Sequence, residues 1–173
     1  MLQDRVDQLL QEWEDERPDL DPSPLGIVSR VLRFSKHATH AASSALISYR
    51  LELWAFDVLA ALRRQGPPYT MSPTALRRLA ILTSGAMTNR IDRLQERGWV
   101  ERLPDPVDRR ALLVRLTPDG KELIDNAVEA RFANAERLVA SLTEDEQLAL
   151  AGLLRKLLVA VPSERLSGVG STH

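Results

Sequence analysis

Three side chains in this sequence fit poorly into either a helix surface or an apolar core: Arg90, Asp57 and Trp13. Arg90 lies in SGAMTNRIDRLQE (84–96). At about 100° per residue it falls roughly 40° from Leu94, on the side where Met87, Ile91 and Leu94 form an inward stripe. A guanidinium on that side points toward protein. Asp57 interrupts LWAFDVL (53–59), and a carboxylate in such apolar surroundings needs a partner. Trp13 brings a large ring and one N–H donor to the edge of another apolar stripe. Residue type alone leaves two readings open, an Arg90–Asp57 ion pair with Trp13 as a core anchor, or a constellation built to sense something.

A second group has a different chemistry. The outward N-terminal half of the same helix is small and polar (Ser84, Gly85, Thr88, Asn89), with Arg93 a turn further on, as suits a helix pushed end-first into a major groove. Thr83 or Ser84 can cap it and Gly98 ends it. The runs 99–103 and 111–116 are rich in β-branched and apolar residues around the turn PDPVDRR, which predicts a hairpin with Asp108, Arg109 and Arg110 at a charged tip. A guanidinium there suits the narrow, negative minor groove. The plainer alternative is a solvated hairpin after an ordinary core helix.

These groups need a frame. LQDRVDQLLQEW places Leu2, Val6, Leu9, Leu10 and Trp13 on one face of an N-terminal helix, within residues 1–18, which RPDLDPSP (17–24) breaks. Pro24 suits the first turn of a second helix running to about Arg50, with small residues from 38 to 45 that place it deep in the fold or at a dimer seam. A third helix spans about 52–65, and GPPY (66–69) turns the chain. Ser72 and Pro73 start a fourth helix to about Ala80, and Ile81 and Leu82 make the turn into the Arg90 helix. Thr117 and Pro118 open a long helix to about Ala140, and the Thr143/Glu146 capping box opens the last, to about Val161. Leu142, Leu148, Leu150, Leu153, Leu154, Leu157 and Leu158 make that last helix too apolar to stand alone. The fold class is therefore mainly α with a small β-hairpin wing. Residues 24–50 and 118–161 form a helical dimerisation region of a homodimer, 52–116 a winged helix-turn-helix, and 162–173 a disordered tail.

With 173 residues and 44% hydrophobic positions, one substantial core is affordable and two domains are not required. No apolar run approaches a membrane span, and Met1 is followed by acidic and amide residues, which predicts a cytoplasmic chain with no membrane partner. The absence of cysteine removes disulfides, thiolate catalysis and thiol redox sensing. The formal charge of −1 conceals a split. Residues 77–110 carry eight arginines against five acids, whereas residues 1–24 carry two arginines against eight acids. His37 and His40 stand at i and i+3, but without carboxylate partners they read as structural histidines rather than a metal pair or a pH-sensitive contact at a dimer seam. Neither metal nor cofactor is expected. With no phosphate loop and no Ser–His–Asp arrangement, the chain does not read as an enzyme.

From about Leu53 to Leu116 the sequence resembles the MarR family of bacterial transcription regulators, through LWAFDVLAAL (53–62), SPTALRRL (72–79), the Arg90 helix and DPVDRRA (105–111). The resemblance implies a repressor of double-stranded operator DNA in which Arg110 probes the minor groove and Asp108 orients it. Over roughly residues 9–116, Trp13, the RPDLDP break, DVL and MTNRIDRL are similar to the urate-responsive HucR/PecS-like branch. That likeness implies that Trp13, Asp57 and Arg90 bind a small anionic effector, urate being the candidate, which a guanidinium and an indole N–H can hold. The rival expectations are another effector, such as an aromatic carboxylate, or a winged-helix protein-interaction module that does not bind DNA.

Overall fold

Local capping signals start most of the helices. The computed structural model of the chain describes residues 3–80, 84–108 and 111–161, and it divides into two compact units, 1–44 and 45–173. The side chains of Ala80, Ser84 and Gly85 fall outside the described set, as do Leu2, the Ile81–Leu82 turn, the Thr83 cap and the expected tail.

The first unit is a helical pair, α1 (Arg5–Glu16) and α2 (Ser23–Ser44). The Asp4 carboxylate accepts from the N–H groups of Val6 and Asp7, and Asp4 N–H donates to Asp7. Arg30 of α2 then donates to both carboxylates, at 3.0 Å to Asp4 and 2.6 Å to Asp7. Val6 is buried, and at Gly26 an added Cβ would lie 3.0 Å from a Leu10 methyl, so the two helices approach closely. The expected run of α2 to Arg50 is corrected: the helix stops at Ser44. Leu46 is fully buried in the core of the second unit, and its carbonyl accepts from Tyr49 and Leu51 as the chain turns through Ile47–Tyr49 and a left-handed Arg50. The demand of that core for Leu46 overrides the helical pattern. Nor does α2 lie deep within this chain, because Ile27, Val28, Leu32 and Phe34 are all exposed.

The second unit contains α3 (Leu53–Arg64), β1 (Thr70–Met71), α4 (Pro73–Ala80), α5 (Ser84–Glu96), β2 (Val100–Pro104), β3 (Leu112–Leu116), α6 (Pro118–Val139) and α7 (Glu144–Ala160). Its sheet is antiparallel in the order β1-β3-β2, with Glu101 opposite Arg115 and Thr70 opposite the same arginine. The β1 strand was not anticipated in the stretch after GPPY. Val58, Leu59 and Leu62 of α3, Leu76 of α4, Met87, Ile91 and Leu94 of α5, Val100, Val114 and Leu116 of the sheet, and Ile124 of α6 form one core. Helix α5 therefore sits with its apolar stripe fixed in the core and Thr88 and Asn89 exposed on its other side.

Glycine decides two junctions. Gly98 has φ +73°, the left-handed geometry that closes a helix. Gly120 lies where the first turn of α6 presses on the wing root: a Cβ there would be 2.0 Å from the Trp99 carbonyl oxygen. Ser72 Oγ accepts from Ala75 N–H, Thr117 Oγ1 accepts from Gly120 N–H, and Thr143 and Glu146 form the full reciprocal box. No residue of α7 is buried, and Leu148, Leu153, Leu157 and Leu158 face solvent in the single chain. Among the described residues no helix is long and apolar enough to cross a membrane.

Candidate nucleic-acid interface

The outward side of α5 carries Thr88 and Asn89, both exposed, with Ser84 and Gly85 in its first turn. Beside it stands the wing, whose turn is organised by Asp105. That carboxylate accepts from Val107 N–H at 2.8 Å and Asp108 N–H at 3.3 Å, while Ala111 N–H donates to the Asp108 carbonyl. Arg109 and Arg110 lie outside the described residues. Arg102 on β2 ties the wing to the helix, donating to Gln95 at 2.7 Å and to Asp92 on successive turns of α5. Across the hairpin Arg115 pairs with Glu101 at 2.9 Å. Helix and wing thus form one braced unit, and neither brace was foreseen from the sequence, although the i, i+3 spacing of Asp92 and Gln95 was a readable signal.

Arg93 stands one turn after Asn89 and is exposed. It donates to Glu52 at 2.8 Å and lies 4.7 Å from the Trp54 ring, so it joins α5 to the start of α3. Arg97 adds a second contact to Glu52 at 3.5 Å and covers Trp99 at 5.0 Å. Desolvation acts to raise the Glu52 pKa, but the hydrogen bond from Arg93 and the charges of Arg93 and Arg97 hold it below its ordinary value.

Behind this interface, Arg90 is half-buried, as its helical projection requires, and its guanidinium lies 5.3 Å from the Trp54 ring. Among the described residues it forms no direct ion pair with Asp57, so the ion-pair alternative is not borne out. The aromatic face of Trp54 offers the guanidinium an alternative to the carboxylate. Asp57 keeps an exposed edge, yet desolvation on its protein side raises its carboxyl pKa, against the opposing charges of Arg131, Arg64 and Arg90. A carboxyl of this kind takes up a proton more readily than a surface aspartate, and an approaching anion would favour that uptake.

Trp13 belongs to the first unit, where it leaves 48% of its surface exposed on α1 beside Leu9, Glu12, Asp15 and Glu16. It is therefore not a core anchor, because α1 buries only Val6. His37 and His40 are exposed, and no group of three potential metal ligands occurs among the described residues.

Residues 51–111 match the model of the MarR family. The chain is 34% identical over 152 residues to the HTH-type transcriptional regulator PecS of Dickeya dadantii, a match covering 88% of this chain and 92% of PecS. A mutant Escherichia coli MarR complexed with operator DNA superposes with a TM-score of 0.68 at 27% identity, over 84% of this chain and 97% of that one. Bordetella bronchiseptica BpsR, whose DNA binding is regulated by 6-hydroxynicotinic acid, also gives 0.68 at 27% identity, over 78% and 94% of the respective chains.

Proposed function

Because the chain belongs to the MarR family of DNA-binding transcriptional regulators, we propose that it is a homodimeric repressor, released from its operator by urate or a closely related small anion. Two copies of α5 enter successive major grooves, about 34 Å apart, on a near-palindromic site. Ser84, Gly85, Thr88 and Asn89 meet the base edges, and Asp108, Arg109 and Arg110 take the wing into the minor groove. The exposed apolar faces of α2 and α7 supply the seam between copies, and the exposure of Leu32, Leu148 and Leu158 on the single chain supports that reading.

The observation that carries the effector half is Arg90. It stands on the DNA-reading helix but turns its guanidinium to Trp54 of α3, close enough to Asp57 for its charge to bear on that carboxyl. A planar anion held by Arg90 meets the negative charge of Asp57. At about 4 Å and an effective dielectric near 20 that repulsion is roughly 4 kcal/mol. Inverting a 99:1 population takes about 5.5 kcal/mol, so two sites per dimer suffice. The strain enters α5 directly through Arg90, with no long path to the DNA. Asp57→Asn is expected to blunt urate-driven release while leaving urate binding largely intact; a release curve identical to wild type would refute the role of Asp57.

A second reading keeps the fold and the site but changes the effector to an aromatic carboxylate. It is favoured by the likeness to BpsR, whose regulator is a flat hydroxylated heteroaromatic acid. Titrating the operator complex with urate and with 6-hydroxynicotinic acid separates the two.

A further inference from the structure

Arg131 of α6 carries a buried polar group without a hydrogen-bond partner among the described residues. That group is its Nε–H, while Nη1 donates to Asn134 at 3.2 Å. Buried guanidinium N–H groups are rarely left without an acceptor. The guanidinium carbon lies 5.8 Å from the Phe56 ring, and of the three cations acting on Asp57, Arg131 acts most strongly.

The placement on α3 gives this meaning. At about 100° per residue Asp57 lies between Trp54, roughly 60° to one side, and Phe56, roughly 100° to the other. Arg90 covers Trp54 and Arg131 covers Phe56. One exposed carboxyl is therefore flanked on both sides by an aromatic ring bearing a guanidinium, one from α5 and one from α6. Arg64 follows seven residues after Asp57 on the same face as a third positive charge. A single anion does not need two arginines on opposite sides, whereas a flat anion with oxygen acceptors at both ends does. Each guanidinium presents a planar fork of donors suited to such an edge.

We infer that Arg131 is the second guanidinium of the effector site, that it turns its unpartnered N–H from Phe56 toward the bound ligand, and that the site selects flat anions carrying acceptors on two opposite edges. Urate meets that requirement, with carbonyl oxygens on both of its rings; benzoate, with one anionic edge, does not. This inference rests on the effector reading proposed above, and it adds α6 to the elements that feel the ligand.

Calorimetric titration of urate into the full-length protein, compared across Arg131→Gln, Arg131→Lys and Arg90→Ala, tests it. Arg131→Gln should weaken urate binding about tenfold or more, and Arg131→Lys, which keeps the charge but not the fork, should fall between it and wild type. Operator affinity without urate, thermal midpoint and dimer mass should stay at wild-type values in both. Unchanged urate affinity in Arg131→Gln, with Arg90→Ala impaired, would overturn the role of Arg131 and leave the effector reading standing. A loss of urate binding that merely parallels a loss of stability or of dimerisation would overturn it too, by assigning the unpartnered N–H to packing or to the second copy. No heat from urate with the wild-type protein would remove the effector reading itself, and this inference with it.

Discussion

Gly120→Ala measures how tightly the wing root is held against α6. An added Cβ would stand 2.0 Å from the Trp99 carbonyl oxygen, 2.8 Å from its carbon and 3.0 Å from Trp99 Cα, all of them backbone atoms. Ordinary contact requires about 3.5 Å, so the first turn of α6 and the start of β2 must separate by more than an ångström. That movement strains the hydrogen bond from Thr117 N–H to Trp99 O (3.1 Å), the bond from Thr117 Oγ1 to Gly98 O (2.7 Å) and the cap from Gly120 N–H to Thr117 Oγ1 (3.0 Å). Overpacking costs about 1–3 kcal/mol and a lost hydrogen bond or cap about 1 kcal/mol, which together give roughly 3–5 kcal/mol. For a chain of this size each kcal/mol lowers the midpoint by about 2–4 °C, so a drop on the order of 10 °C is expected by circular dichroism at matched protein concentration. Gly98→Ala is the internal comparison. Its φ is +73° but nothing lies within 4 Å of the added Cβ, and the left-handed backbone alone costs about 1–2 kcal/mol. A Gly120→Ala midpoint no lower than that of Gly98→Ala would refute the close contact between α6 and the wing.

Two further outcomes follow from the charges. Arg102→Ala releases the wing from Asp92 and Gln95; the pair is partly exposed, so the loss should cost about 1 kcal/mol of stability, yet weaken operator binding several-fold in a fluorescence-anisotropy titration, and an unchanged affinity would contradict the brace. Asp57 and Asp125 should answer pH with opposite signs in urea unfolding between pH 3.5 and 7. Desolvation raises the folded-state pKa of Asp57, so its favourable contribution is present at low pH and lost as pH rises through that value; Asp57→Asn should therefore stabilise at pH 7, with the gain fading toward acid. The hydrogen bond from Lys121, with Arg63 beside it, lowers that of Asp125, so its contribution holds above the ordinary carboxylate range and is lost as pH falls; Asp125→Asn should destabilise at pH 7. Shifts of the same sign at pH 7 would contradict one of the two environments.

What could be read from the sequence was local. Met87, Ile91 and Leu94 declare the buried side of α5 by period alone, and Ser72, Thr117 and Thr143 declare helix starts because a cap acts within three residues. The inward turn of Arg90 came from the same projection. Its destination did not, since a guanidinium can satisfy itself on a carboxylate or on a ring, and Trp54 becomes available only once α3 and α5 are packed. Arg93 shows the same limit: its position on α5 suits DNA, but Glu52, distant in sequence, holds it. The two-residue β1 exists only by its register with Val114 and Arg115, which no pattern within GPPYTM specifies. The end of α2 at Ser44 depends on the core of the second unit drawing in Leu46, a tertiary demand that overrides a continuous helical period.

The most direct measurement is a urate titration of the purified protein bound to promoter DNA from its own gene neighbourhood, at fixed salt and pH, with wild type and Arg90→Ala side by side. Release of wild-type protein at micromolar to millimolar urate, with Arg90→Ala bound to the DNA but indifferent to urate, is the expected result. Tight operator binding by both proteins that no concentration of urate disturbs would contradict a urate sensor built on Arg90.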